Sequence, residues 1–131
     1  MTLKLAAILS TVATAAMVLA SAANAADLKP FTAAAFDAAS KAGKSILVEV
    51  HAPWCPTCKA QKPIINELTS APAYKDLVIL DVDFDTQKDA LQQFKVQKQS
   101  TLIAFKGATE TARTVGDTKP DGIAALLKST K

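Results

Sequence analysis

The residues best suited to chemistry are two cysteines, Cys55 and Cys58, in the run Trp54-Cys55-Pro56-Thr57-Cys58-Lys59. A thiol acts as a nucleophile through its thiolate, and two thiols at this spacing can close a disulfide across the first turn of a helix. The chemistry on offer is therefore thiol–disulfide exchange. The neighbouring residues argue that a helix does begin here. Ser45 to Val50 is β-branched and apolar except at Glu49, which suits a strand buried on both faces. Pro53 and Trp54 close that strand, and Pro56 stands where a first helical residue belongs, since a missing N–H and a preset φ cost nothing there. Cys55 then falls at a helix N-terminus, whose free N–H groups and positive dipole end favour a thiolate. Cys58 lies on the same face about one turn further in. The expected arrangement is an exposed Cys55 that attacks and a shielded Cys58 that resolves.

The elements that must position this pair follow from periodicity and punctuation. Thr32 is placed to cap a first helix, with Phe31 and Phe36 stapled across its start and Gly43 ending it. The helix that carries the cysteines should run from Pro56 to Thr69 and bend at Pro63, before Ala71-Pro72-Ala73 breaks the pattern. Leu77 to Asp83 reads as a second strand and Thr101 to Phe105 as a third. Lys106-Gly107-Ala108 turns the chain into a fourth, around Thr111 to Val115. Helical patterns cover Thr86 to Phe94 and Asp121 to Lys128. This order predicts an α/β domain with a central mixed β-sheet flanked by helices on both faces. The Val48 strand would be central, with Cys55 just beyond its C-terminal end, where open α/β sheets place their sites.

The N-terminus reads as a leader. Lys4 provides a positive start, Leu5 to Leu19 is apolar apart from Ser and Thr, and Ala23-Asn24-Ala25 has small residues where a signal peptidase reads. Residues 1–25 are expected to be a cleaved signal peptide and residues 26–131 a single domain. An uncleaved membrane anchor fits less well, because the stretch is alanine-rich and no charged stop-transfer pattern follows. No cysteine lies near the cleavage site to support a lipid anchor. Removing 25 of the 131 residues leaves 106, enough for one core and too few for two. In an oxidising compartment a cysteine pair can be a structural staple, yet a loop this small constrains the unfolded chain very little. Loss of Lys4 lowers the formal charge from +3 to +2, and with no basic stripe neither nucleic acid nor an anionic membrane surface is an expected partner.

Trp-Cys-x-x-Cys-Lys after an apolar strand, Pro63 five residues past the second cysteine, Glu49 in the strand, the Thr101 to Gly107 strand and turn, and Gly116 before the last helix together resemble the thioredoxin superfamily. The resemblance runs from about Phe31 to the C-terminus. It implies the thioredoxin fold and a thiol–disulfide oxidoreductase that acts on protein disulfides, with the electrons carried in the dithiol and no organic cofactor or metal. The Pro56-Thr57 dipeptide is similar to that of periplasmic thioredoxin-like reductases serving cytochrome c maturation. That likeness implies a periplasmic reductase kept reduced by a membrane thiol electron donor; a monomer is expected. The runner-up is a dithiol oxidase, which needs Cys55 so acidic that the reduced form is the more stable, and no group of positive residues surrounds it. Metal is the rival chemistry. A structural zinc site wants four ligands where the chain offers two cysteines and one histidine. Copper held by the reduced pair, or a redox-inactive binding module, is the alternative of a different class.

Glu49 is expected to be catalytic. A carboxylate in an apolar strand is costly unless paired, hydrated or neutral, so burial should raise its pKa toward the working pH and let it take the proton of Cys58. The bland alternative is a glutamate reaching solvent from the strand end. The family pattern can place a lysine on the neighbouring strand beside this acid; here Asp81 stands there, so no lysine partner is expected. Ser100 occupies the place of the family's cis-proline. A trans bond is expected before it, with its hydroxyl and N–H available to the Cys55 thiolate. Trp54, Pro56 and the Gln99-Ser100-Thr101 backbone are expected to form a shallow groove that binds an extended substrate by strand-like pairing. His51, Lys59 and Lys62 lie near the motif, and solvated side chains would explain all three.

Overall fold

The structure, a computed structural model, describes residues 25–131. The expected leader, Ala25 apart, lies outside them. Strand β1 spans Asp27–Pro30, β2 Ser45–His51, β3 Val78–Asp83, β4 Thr101–Lys106 and β5 Thr109–Val115. Helix α1 spans Ala33–Lys41, α2 Pro56–Thr69, α3 Lys88–Gln93 and α4 Pro120–Lys128, with a 3₁₀ turn at Pro72–Tyr74. The local causes expected from the sequence operate. Thr32 Oγ1 accepts the Ala35 N–H at 3.0 Å to cap α1, and the Phe31 and Phe36 rings meet across that cap at 6.4 Å. Gly107, at φ +59, makes the β4–β5 turn, where a Cβ would stand 3.3 Å from the Ser40 carbonyl oxygen. The turn packs on the end of α1 and tolerates no side chain without movement.

The sheet order is β1-β3-β2-β4-β5. β1 and β2 both run parallel to β3, while β4 is antiparallel to β2 and β5 antiparallel to β4. The mixed sheet and the central place of β2 are as expected. β1 is not: Asp-Leu-Lys-Pro has no strand pattern and all four residues are exposed. It is an edge strand created by pairing with β3, and Pro30 ends it. α3 also starts two residues later than its sequence pattern. Asp83 Oδ1 accepts the N–H groups of Asp85 at 2.8 Å and Thr86 at 3.3 Å, and this local turn competes with helix for the same donors.

Because side chains alternate across a strand, β2 divides the core. Ile46, Val48 and Val50 face α1 and α3 together with Val78, Leu80, Val82, Ile103 and Phe105. Leu47 faces Ile65 of α2 and Ile123, Leu126 and Leu127 of α4. Glu49 has the parity of Leu47 and so points to the α2 side. On the other face Phe36 meets Phe94 and Phe105 edge to face, with centroids 5.0 Å and 5.1 Å away, an arrangement that adds to simple burial. Replacing Phe36 with Ala should lower unfolding free energy by about 3–5 kcal/mol. Urea titration checks this, with the slope of the transition expected to stay unchanged.

Candidate active site

Cys55 and Cys58 are joined by a disulfide, with Cα atoms 5.3 Å apart. Cys55 is the N-cap of α2: its backbone is extended at φ −87, ψ 108, and its Sγ accepts the Cys58 N–H at 3.1 Å. The sulfur thus takes the role a serine or aspartate oxygen usually fills at this position. The expected order of exposure is reversed. Cys55 has no exposed surface and Cys58 keeps 7%. In this bridged form Cys55 Sγ points inward, packed with Ala52 and Phe84 and directed toward the first turn of α2. An incoming thiol therefore reaches Cys55 only after the surrounding surface yields.

Glu49 is 3% exposed, at the floor of a cavity of about 300 Å³ that it shares with His51, Cys58, Lys59, Lys62 and Asp81. The alternative of a solvated strand-end glutamate is excluded. Desolvation holds its carboxyl above the ordinary value of 4.5, Lys62 pulls it down, and Asp81 pushes it up again. Contrary to the expectation drawn from Asp81, Glu49 does have a lysine partner. Asp81 is indeed the in-register neighbour of Glu49 on β3, but Lys62 reaches from α2 to place Nζ 3.5 Å from Glu49 Oε1. Lys62 lies four residues after Cys58, on the same helix face. That spacing was the available signal. Asp81 lies beside His51, with Oδ1 2.6 Å from Nδ1. The two atoms are close but not aligned for a hydrogen bond, and neither has another hydrogen-bond partner.

Ser100 follows a trans bond, since no cis peptide occurs among the described residues. Its φ is +60, a left-handed conformation that costs a residue with a Cβ about 1–2 kcal/mol. Its N–H donates to the Val50 carbonyl at 2.8 Å and its Oγ to the Gln99 carbonyl at 2.5 Å. Both donors expected to reach the Cys55 thiolate are thus committed to backbone. Cys58 Sγ lies 3.9 Å from the same Val50 oxygen, so the Ser100 loop does stand opposite the dithiol. Of the other groove residues, Trp54 is 56% exposed and Pro56 is exposed beside it. The Trp54 indole N–H donates to the Asp85 carboxylate at 2.9 Å, and its ring meets Phe84 edge to face. Gln99 is half-buried. Thr101 is buried in β4, its Oγ1 donates to the Lys98 carbonyl at 2.7 Å, and the cavity it lines with Lys98 and Val115 is not the one beside Cys58.

A family model described as thioredoxin matches residues 27–129. The chain belongs to the thioredoxin family. Over 91 residues it is 36% identical to a thioredoxin H-type of Brassica oleracea, covering 70% of this chain and 72% of that protein. Over 85 residues it is 36% identical to a thioredoxin of Mycobacterium tuberculosis, covering 65% of this chain and 70% of that one. Among solved structures, Trxlp from Edwardsiella tarda is 44% identical with a TM-score of 0.75, over 77% of this chain and 98% of the other. With its dithiol intact and bridged, this thioredoxin is a thiol–disulfide oxidoreductase. Thioredoxins act on protein disulfides, and that is the substrate class.

The Glu49 environment sets a pH dependence for this thioredoxin. Because its folded pKa lies above 4.5, the native state keeps a proton over a range in which the unfolded chain has released it. Stability must then fall as pH rises through that range and level off above the raised value. Glu49→Gln should abolish this slope and be more stable than the parent at pH 8. Lys62→Met removes the opposing charge and should move the inflection to higher pH. Guanidinium unfolding between pH 4 and pH 9 measures both, and an inflection that stays put in Lys62→Met would contradict the pairing.

Proposed function

We propose that this protein is an exported disulfide reductase, working as a monomer in the periplasm or its equivalent on protein disulfides, and re-reduced by a membrane thiol donor. The observation that carries the chemistry is the Cys55–Cys58 disulfide seated on the N-terminus of α2, with the buried Glu49 lining the same cavity as Cys58. In the reduced protein the Cys55 thiolate attacks a substrate disulfide, forming a Cys55–substrate disulfide and expelling one substrate thiolate. Glu49 accepts the proton of Cys58. The Cys58 thiolate then attacks Cys55 Sγ and expels the second substrate thiolate. Two electrons have passed to the substrate, its two sulfurs take up protons, and the protein is left as the disulfide. A donor dithiol restores it by the reverse sequence.

Three features support the reducing direction and the compartment. The cations near the dithiol, Lys59 and Lys62, line the cavity on the Cys58 side, and Lys62 is paired with Glu49. Cys55 thus lacks the positive surroundings a strong oxidant needs to stabilise its reduced form. Pro56-Thr57 matches the dipeptide of periplasmic reductases, and the apolar run ending in Ala23-Asn24-Ala25 has the pattern of an export signal. Trp54, Pro56 and the Gln99-Ser100 backbone form the surface a substrate chain would meet.

Equilibration of residues 26–131 in defined glutathione buffers, followed by thiol counting, tests the direction. A midpoint more reducing than glutathione is expected, and one well on the oxidising side would make the protein an oxidase. Glu49→Gln should slow resolution of the mixed disulfide about a hundredfold, the usual loss for a missing proton acceptor. Stopped-flow measurement with a peptide disulfide checks this, while formation of the mixed disulfide by Cys55 should stay close to the parent rate.

A further inference from the structure

Gln61 is a polar residue in a place that calls for an apolar one. It lies on the stripe Cys58, Gln61, Ile65, Thr69 that α2 buries against the rest of the molecule, and it is 1% exposed. A leucine or methionine would fill the same volume without stripping water from an amide. The Gln61 amide is instead spent on two carbonyls from separate segments. Nε2 donates to the Ser100 carbonyl at 3.2 Å and to the Asp117 carbonyl at 2.9 Å. One side chain thus ties the helix that carries the cysteines to the Ser100 loop and to the segment leading into α4.

The loop it holds would not keep its shape unaided. Ser100 has a left-handed backbone that a non-glycine residue adopts only when its surroundings over-determine it. Every polar atom of the residue is engaged: N–H to the Val50 carbonyl, Oγ to the Gln99 carbonyl, and O accepting from both Gly116 N–H at 2.9 Å and Gln61 Nε2. Where the thioredoxin pattern relies on a proline ring to shape this loop, the present chain has a serine in an unfavourable conformation and a buried amide three residues after Cys58 that grips it.

We propose that Gln61 is a positioning residue: by clamping trans Ser100 in its left-handed conformation opposite the dithiol, it fixes the preceding Gln99 main chain that receives the peptide backbone flanking a substrate disulfide. This rests on the exchange function and groove proposed above. The clamp touches neither sulfur and sits behind the loop, so it governs how a peptide is held and leaves the intrinsic reactivity of the cysteines unchanged.

The test compares two disulfide substrates of the full domain, a peptide disulfide that needs the groove and 5,5′-dithiobis(2-nitrobenzoate), which does not. Gln61→Met keeps the volume and removes the donor; Gln61→Glu keeps the shape and replaces the donor with an acceptor. Both should raise KM for the peptide about tenfold, the value of one or two lost hydrogen bonds, and leave the rate with the small disulfide within about twofold. In the same variants the Ser100 and Gly116 amides should exchange with deuterium at least about tenfold faster, with the β2–β4 ladder amides unchanged. An unchanged peptide KM, or equal losses on both substrates, overturns the clamp while leaving the exchange function standing. If the parent protein reduces neither substrate, both proposals fall together. Should either variant fold poorly, Ser100 and Gly116 amides that exchange no faster than the ladder would overturn the assignment on their own.

Discussion

An α-helix begins with N–H groups that need acceptors, and at the start of α2 the acceptor is the sulfur of Cys55, 3.1 Å from the Cys58 N–H. One contact does two jobs. It secures the first turn of a 14-residue helix, and it holds the reacting sulfur where backbone dipoles favour its anion. A thiolate released there by opening the disulfide would find the same donor, so one cap can serve the helix start in either redox state. Pro56 at the first helical position asks for no acceptor, and the cap has one fewer donor to satisfy.

The other constraint is parity. The two-residue period of β2 puts Ile46, Val48 and Val50 into one core and turns Glu49 to the other side, under α2. Burial there would be costly for a lone carboxylate. The surrounding charges set how costly, since Lys62 from above favours the anion and Asp81 from the adjacent strand opposes it. His51 adds the smallest of these influences, a pull toward the anion. The Glu49 carboxyl is therefore tuned by residues from α2, β2 and β3.

Much of this was legible beforehand, and the reasons differ by element. Thr32, the apolar run of β2, Pro56 and Gly107 each declare a local backbone requirement, so α1, β2, the bounds of α2 and the final hairpin could be read directly. β1 could not, because its pairing with β3 is a tertiary event imposed on four polar or exposed residues. Lys62 and Gln61 were hidden by their chemistry: a lysine and a glutamine on a helix read as solvated, and only the packing of α2 over Glu49 and Ser100 turns them inward. The spacing from Cys58, four and three residues, held the clue. The hydroxyl of Ser100 and the inward turn of Cys55 depend on rotamers and loop closure that no pattern encodes.

The topology also carries a consequence for a chain that emerges from its N-terminus. β2 is bonded on one side to β3 and on the other to β4, whose Lys106 pairs with Ser45. Both neighbours come later in the chain. β2 can therefore pair on one side once residue 83 has appeared, but its other edge stays open until residue 106 has followed. Vectorial synthesis or translocation would thus complete the centre of the sheet late, with an apolar strand edge left uncovered in the interval.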